Sequence, residues 1–168
     1  SALAWLGFHL ARRQRKAGLH NLQMAFPELS SQERQRILRR SFGNLGRLLV
    51  EFTHFPELDK GNISQLVVHD GLENYLEGLH RGRGIIFMTA HFGAWELSSF
   101  AHSVYGYPLK FVVRPIDNSK VDALIAHYRC LGGNVPIQRR SAGRDILTAL
   151  RHNEAVGILF DQNTTRDE

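Results

Sequence analysis

Residues 84–96 read Gly84-Ile85-Ile86-Phe87-Met88-Thr89-Ala90-His91-Phe92-Gly93-Ala94-Trp95-Glu96. The compact apolar run Ile85–Met88, bounded by glycine, predicts a buried strand. His91 leaves the end of that strand, Gly93 permits a tight turn, and Trp95 to Val104 predicts a helix. The same alternation continues downstream. Leu109–Val113 predicts a second strand, stopped by Pro115, and Asn118–Leu131 a helix capped by Asn118 or Ser119 and broken by Gly132-Gly133. Val135-Pro136-Ile137 predicts a short weak strand, Ala142–His152 a helix and Ala155–Phe160 another buried strand. Strands alternating with helices of about ten residues predict an α/β fold, with a mostly parallel sheet and helices on both faces.

Upstream of Gly84 the texture is helical. Leu72, Leu76 and Leu79 predict a short helix closed by Gly82 and Gly84. Ser30-Ser31-Gln32-Glu33 has the form of a capping box, and the helix it opens is expected to run to about Thr53. Ile37, Leu38, Phe42, Leu45, Leu48, Leu49 and Phe52 fall on one face of it. Ala2–Leu10 predicts the tail of an apolar or amphipathic helix, and Ala25–Glu28 a break. The expected organisation is a helical N-terminal unit over residues 1–55, near a membrane, and an α/β core over 56–168.

A chain of 168 residues with 43% apolar and 22% charged residues, and a mean hydropathy of −0.25, is neither disordered nor a multi-span membrane bundle. The single Cys130 excludes an internal disulfide and a cysteine-cluster zinc site. The net charge of +5 is unevenly placed. Residues 1–40 carry eight Lys and Arg against Glu28 and Glu33, so the rest of the chain sums to −1. A basic patch of this kind suits phosphate-bearing partners or an acidic protein, although a solvated helix face has the same composition. Ala2–Ala11 is too short to span a bilayer, and its charges follow the apolar run, the reverse of a signal peptide. The chain begins without Met and ends in Asp167-Glu168 soon after an apolar run, the pattern expected of a piece of a longer protein.

In parallel sheets function collects beyond the carboxyl ends of the strands, which singles out His91 to Glu96. A carboxylate at Glu96 in the first helical turn can reach back to the imidazole, fix its tautomer and stabilise its protonated form. His91 is then a general base acting on a hydroxyl. A lone histidine near a strand end is more often structural, so the reading rests on its position and on Gly93. No second histidine follows at metal-binding spacing, so no metal is expected. No Gly-x-Ser-x-Gly elbow, phosphate loop or dinucleotide fingerprint is present, and no cofactor is expected.

The segment His91-Phe92-Gly93-Ala94-Trp95-Glu96 resembles the signature of the lysophospholipid-acyltransferase-like superfamily, a histidine, four residues and an acid. The stretch Asn21–Glu28 is similar to an early segment of its lipid A late (lauroyl/myristoyl) acyltransferase branch. Arg114-Pro115-Ile116-Asp117-Asn118, then Arg129, then Asp161-Gln162-Asn163 follow that branch's order. The resemblance covers nearly the whole chain, and members of the branch run well beyond it at the C-terminus. It implies transfer of a fatty acyl group from acyl carrier protein to a hydroxyl of a lipid A precursor. His91 and Glu96 would be the catalytic pair. No acyl-enzyme is needed, so Cys130 need not be a nucleophile and is expected to be a buried or helix-interior thiol.

Arg114 and Arg129 are then expected to bind phosphate or the oxyanion, with a salt bridge to Asp117 or Asp122 as the alternative use. Asp161 is expected at the substrate site, holding an arginine in place, and Arg139, Arg140 and Arg144 are second choices for the phosphate. Phe92 and Trp95 would line an acyl or acceptor channel. The expected location is the cytoplasmic face of a bacterial inner membrane, with the basic N-terminal cluster on the membrane surface or on the carrier protein. Nucleic acid is not an expected partner. The rival readings are an acyl-CoA-dependent glycerolipid or mannoside-type glycolipid acyltransferase, and a non-catalytic module binding anionic lipid or nucleic acid.

Overall fold

The computed structural model describes residues 2–162, with side chains from Leu6 onward. The chain divides into two compact units, Ser1–Thr53 and His54–Glu168. The first holds α1 (Ala2–Leu10), α2 (Arg12–Ala25) and α3 (Ser31–Thr53). The capping box forms as expected. The Ser30 N–H donates to Glu33 Oε2 at 2.8 Å, and the Glu33 N–H donates to Ser30 Oγ at 3.3 Å, which satisfies donors that the helix start leaves open. Leu38 is buried, while Leu45 and Leu49 of the same apolar stripe are exposed. Phe8 of α1 packs edge-on against Phe42 at 5.4 Å, and the guanidinium groups of Arg15 and Arg39 lie over its ring. Helix α2 is not announced by the sequence, because Arg12–Ala25 carries no apolar stripe of useful width. Among the described residues no helix is long and apolar enough to cross a membrane.

The second unit is the expected α/β fold. Its elements are α4 (Leu72–His80), β1 (Ile85–Thr89), α5 (Trp95–Val104), β2 (Leu109–Val113), α6 (Ser119–Cys130), β3 (Val135–Gln138), α7 (Ala142–Arg151) and β4 (Ala155–Leu159), with short 3-10 turns between some of them. The four strands pair in parallel in the order β1-β4-β2-β3. One face packs Ile137, Ala149 and Val156 with Val112, Ile146 and Ile158 beneath α7. The other packs Tyr75, Leu109 and Ala155 with leucines of α4 and with Phe87 and Tyr107. Phe100 of α5 stacks on Phe55 at 4.4 Å. The buried Asn134 satisfies both ends of its amide. Its Oδ1 accepts from the Leu109 N–H at 2.8 Å, and its Nδ2 donates to the Ser99 carbonyl at 3.1 Å.

β1 is not the fully buried strand its composition predicts. It is an edge strand, and α7 packs on β3 and β4. Ile86 and Met88, which share a face by the two-residue period of a strand, are 45% and 72% exposed. The entry to β1 is pinned by Gly84, whose φ is +71° and whose missing Cβ would lie 2.7 Å from the Leu150 Cα and 2.9 Å from the Glu154 carbonyl oxygen. Only glycine fits there.

Candidate active site

β1 and β4 lie side by side in register, Thr89 beside Leu159, and the Phe160 N–H donates to the Thr89 carbonyl at 2.9 Å. The residues that follow, His91 and Asp161, therefore leave adjacent strand ends. Asp161 grips His91 twice. Its Oδ2 accepts from the His91 backbone N–H at 3.0 Å, and its Oδ1 meets ring Nδ1 at 2.9 Å. A carboxylate only accepts, so Nδ1 carries the proton, and Nε2 of the neutral ring presents its lone pair. The hydrogen bond from the His91 ring is the main influence holding the Asp161 carboxyl below its ordinary value near 3.8. The two side chains are 31% and 37% exposed, so the pair is open to solvent and substrate. Gly93, at φ +58°, turns the chain into α5, and Trp95 sets its ring edge-on to His91 at 5.2 Å.

The expected pair of His91 and Glu96 is not formed. Glu96 gives both oxygens to Arg129 of α6. Arg129 Nε donates to Oε2 at 2.9 Å, and Nη2 donates to Oε1. The reason is strand order. β4, and not β2, neighbours β1, so Asp161 arrives beside His91, while the first turn of α5 offers Glu96 to α6. The expected tasks of two further residues change with it. Asp161 holds a histidine and not an arginine, and Arg129 forms a fork-to-fork ion pair with an acid that was not among its expected partners. The Arg129 guanidinium also lies 5.9 Å from the Phe111 ring centre. Asp122 is occupied locally, accepting from the Ile116 N–H at 2.9 Å. Arg114 is exposed at the end of β2. Asn163, part of the last resembling segment, lies outside the described residues.

Next to the pair a cavity of about 230 Å³ opens between α5 and the sheet. Its apolar wall is Phe87, Phe92, Trp95, Leu109, Phe111 and Leu159, and Glu96, Arg129 and His102 supply polar groups. Trp95 and His102 stand at opposite ends of this stretch of α5, about 10 Å apart by helical rise. Phe92 is 86% exposed, beside His91 at the mouth. His102 is the residue of this region that composition did not single out. It is buried, and its Nδ1 donates to the Tyr107 carbonyl at 2.6 Å. Burial lowers its pKa, which keeps the ring neutral. Only its position on the inner side of α5 marks it, and that position needs the fold. Among the described residues no group of three metal-ligating side chains comes together.

A parallel α/β domain with a histidine–carboxylate pair at its strand tips and an apolar cavity alongside has the arrangement of a candidate active site. The chain belongs to the bacterial lipid A biosynthesis acyltransferase family, whose sequence profile matches residues 1–168. It is 25% identical over 159 residues to a lipid A biosynthesis acyltransferase of Haemophilus influenzae, covering 95% of this chain and 50% of that protein. It is 26% identical over 155 residues to the lipid A biosynthesis palmitoleoyltransferase of Escherichia coli, covering 92% and 50%. Against the lauroyltransferase of the same organism the identity is 27% over 161 residues, covering 96% and 52%. The chain spans about half the length of these curated relatives.

Proposed function

We propose that this chain carries the catalytic base of an O-acyltransferase that moves a fatty acyl group from acyl carrier protein to a hydroxyl of a lipid A precursor. The observation that carries the reading is His91 with Nδ1 held by Asp161 and its ring against Trp95, which lines an apolar cavity. Nε2 takes the proton of the acceptor hydroxyl as its oxygen attacks the thioester carbonyl. The C–O bond forms, the tetrahedral oxyanion collapses, the C–S bond breaks, and the imidazolium returns its proton to the departing thiolate. Asp161 fixes the tautomer and offsets the charge that develops on the ring.

In this reading Glu96 acts through Arg129. Two of the five guanidinium N–H groups are committed to Glu96, and the others remain to meet the oxyanion or a phosphate. The cavity takes the acyl chain, with Phe92 and Trp95 at its mouth, and Arg114 contacts a phosphate of the acceptor. Residues 1–53 hold nine Lys and Arg against three acids. On an anionic surface each such charge contributes about 1 kcal/mol, which supports work at the cytoplasmic face of an inner membrane.

The test is acyl transfer measured with the full protein, acyl carrier protein thioester and a lipid A precursor. His91→Ala is expected to abolish transfer with its melting temperature unchanged, and near wild-type turnover would refute the base role. Turnover with acyl-CoA and none with the carrier thioester would overturn the donor assignment.

A further inference from the structure

Phe87 of β1, Gly157 of β4 and Phe111 of β2 are register partners across three neighbouring strands. Paired residues of parallel strands point to the same face, and all three line the cavity beside α5. Each ring is held by its neighbours. Phe87 stacks on Tyr75 at 5.4 Å and meets His102 edge-on at 5.2 Å, and the Arg129 guanidinium lies 5.9 Å from the centre of Phe111. Between these two walls Gly157 has no side chain. β1 and β2 stand two strand spacings apart, about 10 Å, so the missing side chain leaves a slot in the floor of the cavity. Ala155 and Val156, just before it, are buried, whereas Gly157 is partly accessible.

Nothing in the backbone requires glycine at this position. Gly157 does not have the positive φ of Gly84 or Gly93. A Cβ on it would meet Leu109 Cδ1 at 3.9 Å and the Lys110 carbonyl oxygen at 4.0 Å, which are ordinary van der Waals distances. Glycine inside a strand weakens it, and where neither φ nor packing demands it, it marks the close approach of a ligand. Along β2 the cavity is lined from Val113 to Leu109, four residues or about 13 Å, and Gly157 sits level with the midpoint, Phe111. Trp95, edge-on to His91, lines one end, and the buried Leu109 and His102 line the other.

We propose that Gly157 sets the length of the acyl chain that is accepted. The donor's hydrocarbon tail enters past Trp95, crosses the slot between Phe87 and Phe111 and ends against Leu109 and His102. The proposal rests on the acyl-transfer reading and adds to it a residue that determines chain-length specificity. Carbon–carbon bonds of about 1.5 Å advance an extended chain by about 1.3 Å per carbon. The two residues of strand between Phe111 and Leu109 rise about 6.6 Å, room for about five carbons beyond Gly157. A hydrocarbon chain already on the acceptor has the same chemistry, and the test separates the two sources.

The experiment measures kcat/KM by mass spectrometry of the products for full-length wild type, Gly157→Ala, Gly157→Val and Met88→Leu. The donors are carrier-protein thioesters of a series of saturated chains, with one acceptor. The methyl group of Gly157→Ala fits the fold, so its melting temperature is expected to match or exceed that of wild type. It should lower kcat/KM for the longest chain that wild type accepts about tenfold, the effect of overpacking a filled site, and leave the shortest unchanged. Gly157→Val should move the preferred chain about four carbons shorter. If its melt shows that it does not fold, Gly157→Ala decides alone. Met88→Leu, on the opposite and exposed face of β1, should keep the wild-type profile. A second series holds the donor fixed and varies the acyl chains of the acceptor.

An unchanged donor profile in Gly157→Ala, an equal loss at every donor length, or a change in the dependence on acceptor chains alone would overturn the proposal. A wild type that transfers no acyl group from any donor would defeat the acyl-transfer reading and this inference with it. A wild type that transfers, with a donor profile indifferent to Gly157→Ala, defeats only this inference.

Discussion

Replacing Asp161 by Asn keeps the shape of the clamp and removes its charge. Asp161 accepts from both the His91 backbone N–H and the ring Nδ1–H. An amide can still accept through its oxygen, but its NH2 now faces one of those two donors. Turning the amide to relieve that clash favours the ring tautomer with the proton on Nε2, where it blocks abstraction. For a buried triad carboxylate the equivalent change costs about 10⁴ in kcat. Here the carboxylate is 37% and the ring 31% exposed, so water screens the charge and offers Nδ1 a substitute partner. The expected loss is correspondingly smaller, about 10² to 10³ in kcat, with KM for acceptor within a few-fold of wild type. Steady-state acyl transfer to a phosphorylated lipid A precursor measures it, with a thermal melt to show that the fold persists. A kcat within threefold of wild type would refute the assignment of Asp161 as the partner of His91. An equal loss in Glu96→Gln through KM alone would separate the two carboxylates by role.

Glu96→Gln and Arg129→Gln are expected to be non-additive. The pair is partly buried, each single change leaves the other charge unmatched, and each should cost about 1–3 kcal/mol of stability, with the double variant costing little more than one of them. Urea unfolding of the four proteins measures the coupling, and simple additivity would count against the fork-to-fork pair. For His102 burial lowers the folded-state pKa below the ordinary 6.5, so the unfolded chain binds the proton more readily. Its contribution to stability is present above pH 6.5 and is lost as pH falls below that value toward the folded pKa. Melting temperatures recorded from pH 7.5 to 5 should decline less in His102→Leu than in wild type, and parallel curves would contradict the reading.

Much of the site was legible because it is local. His91, Gly93 and the start of α5 lie within a few residues of one another, and strand, positive-φ turn and helix follow from short-range chemistry. The capping box at Ser30 and Glu33 and the Asn118 cap, whose Oδ1 accepts from the Lys120 and Val121 N–H groups, are equally local. Helix α2 was not legible, since a polar helix held by its neighbours leaves no periodic apolar mark. His102 was not legible either, because one histidine among nine acquires meaning only when a helix face meets a cavity.

The sequence by itself determined the alternation of strands and helices, the loop that carries His91, and the identities of all the charged residues around it. It could not determine which carboxylate meets the imidazole. Glu96 is five residues from His91 and Asp161 is seventy, and proximity along the chain favoured the former. Pairing β4 against β1 reversed that preference, because hydrogen-bonded strands bring distant residues within about 5 Å of each other while a helix start can aim a nearby one elsewhere. The same strand order gave Glu96 to Arg129. Residue chemistry was written in the chain, and the partnerships were decided by the sheet.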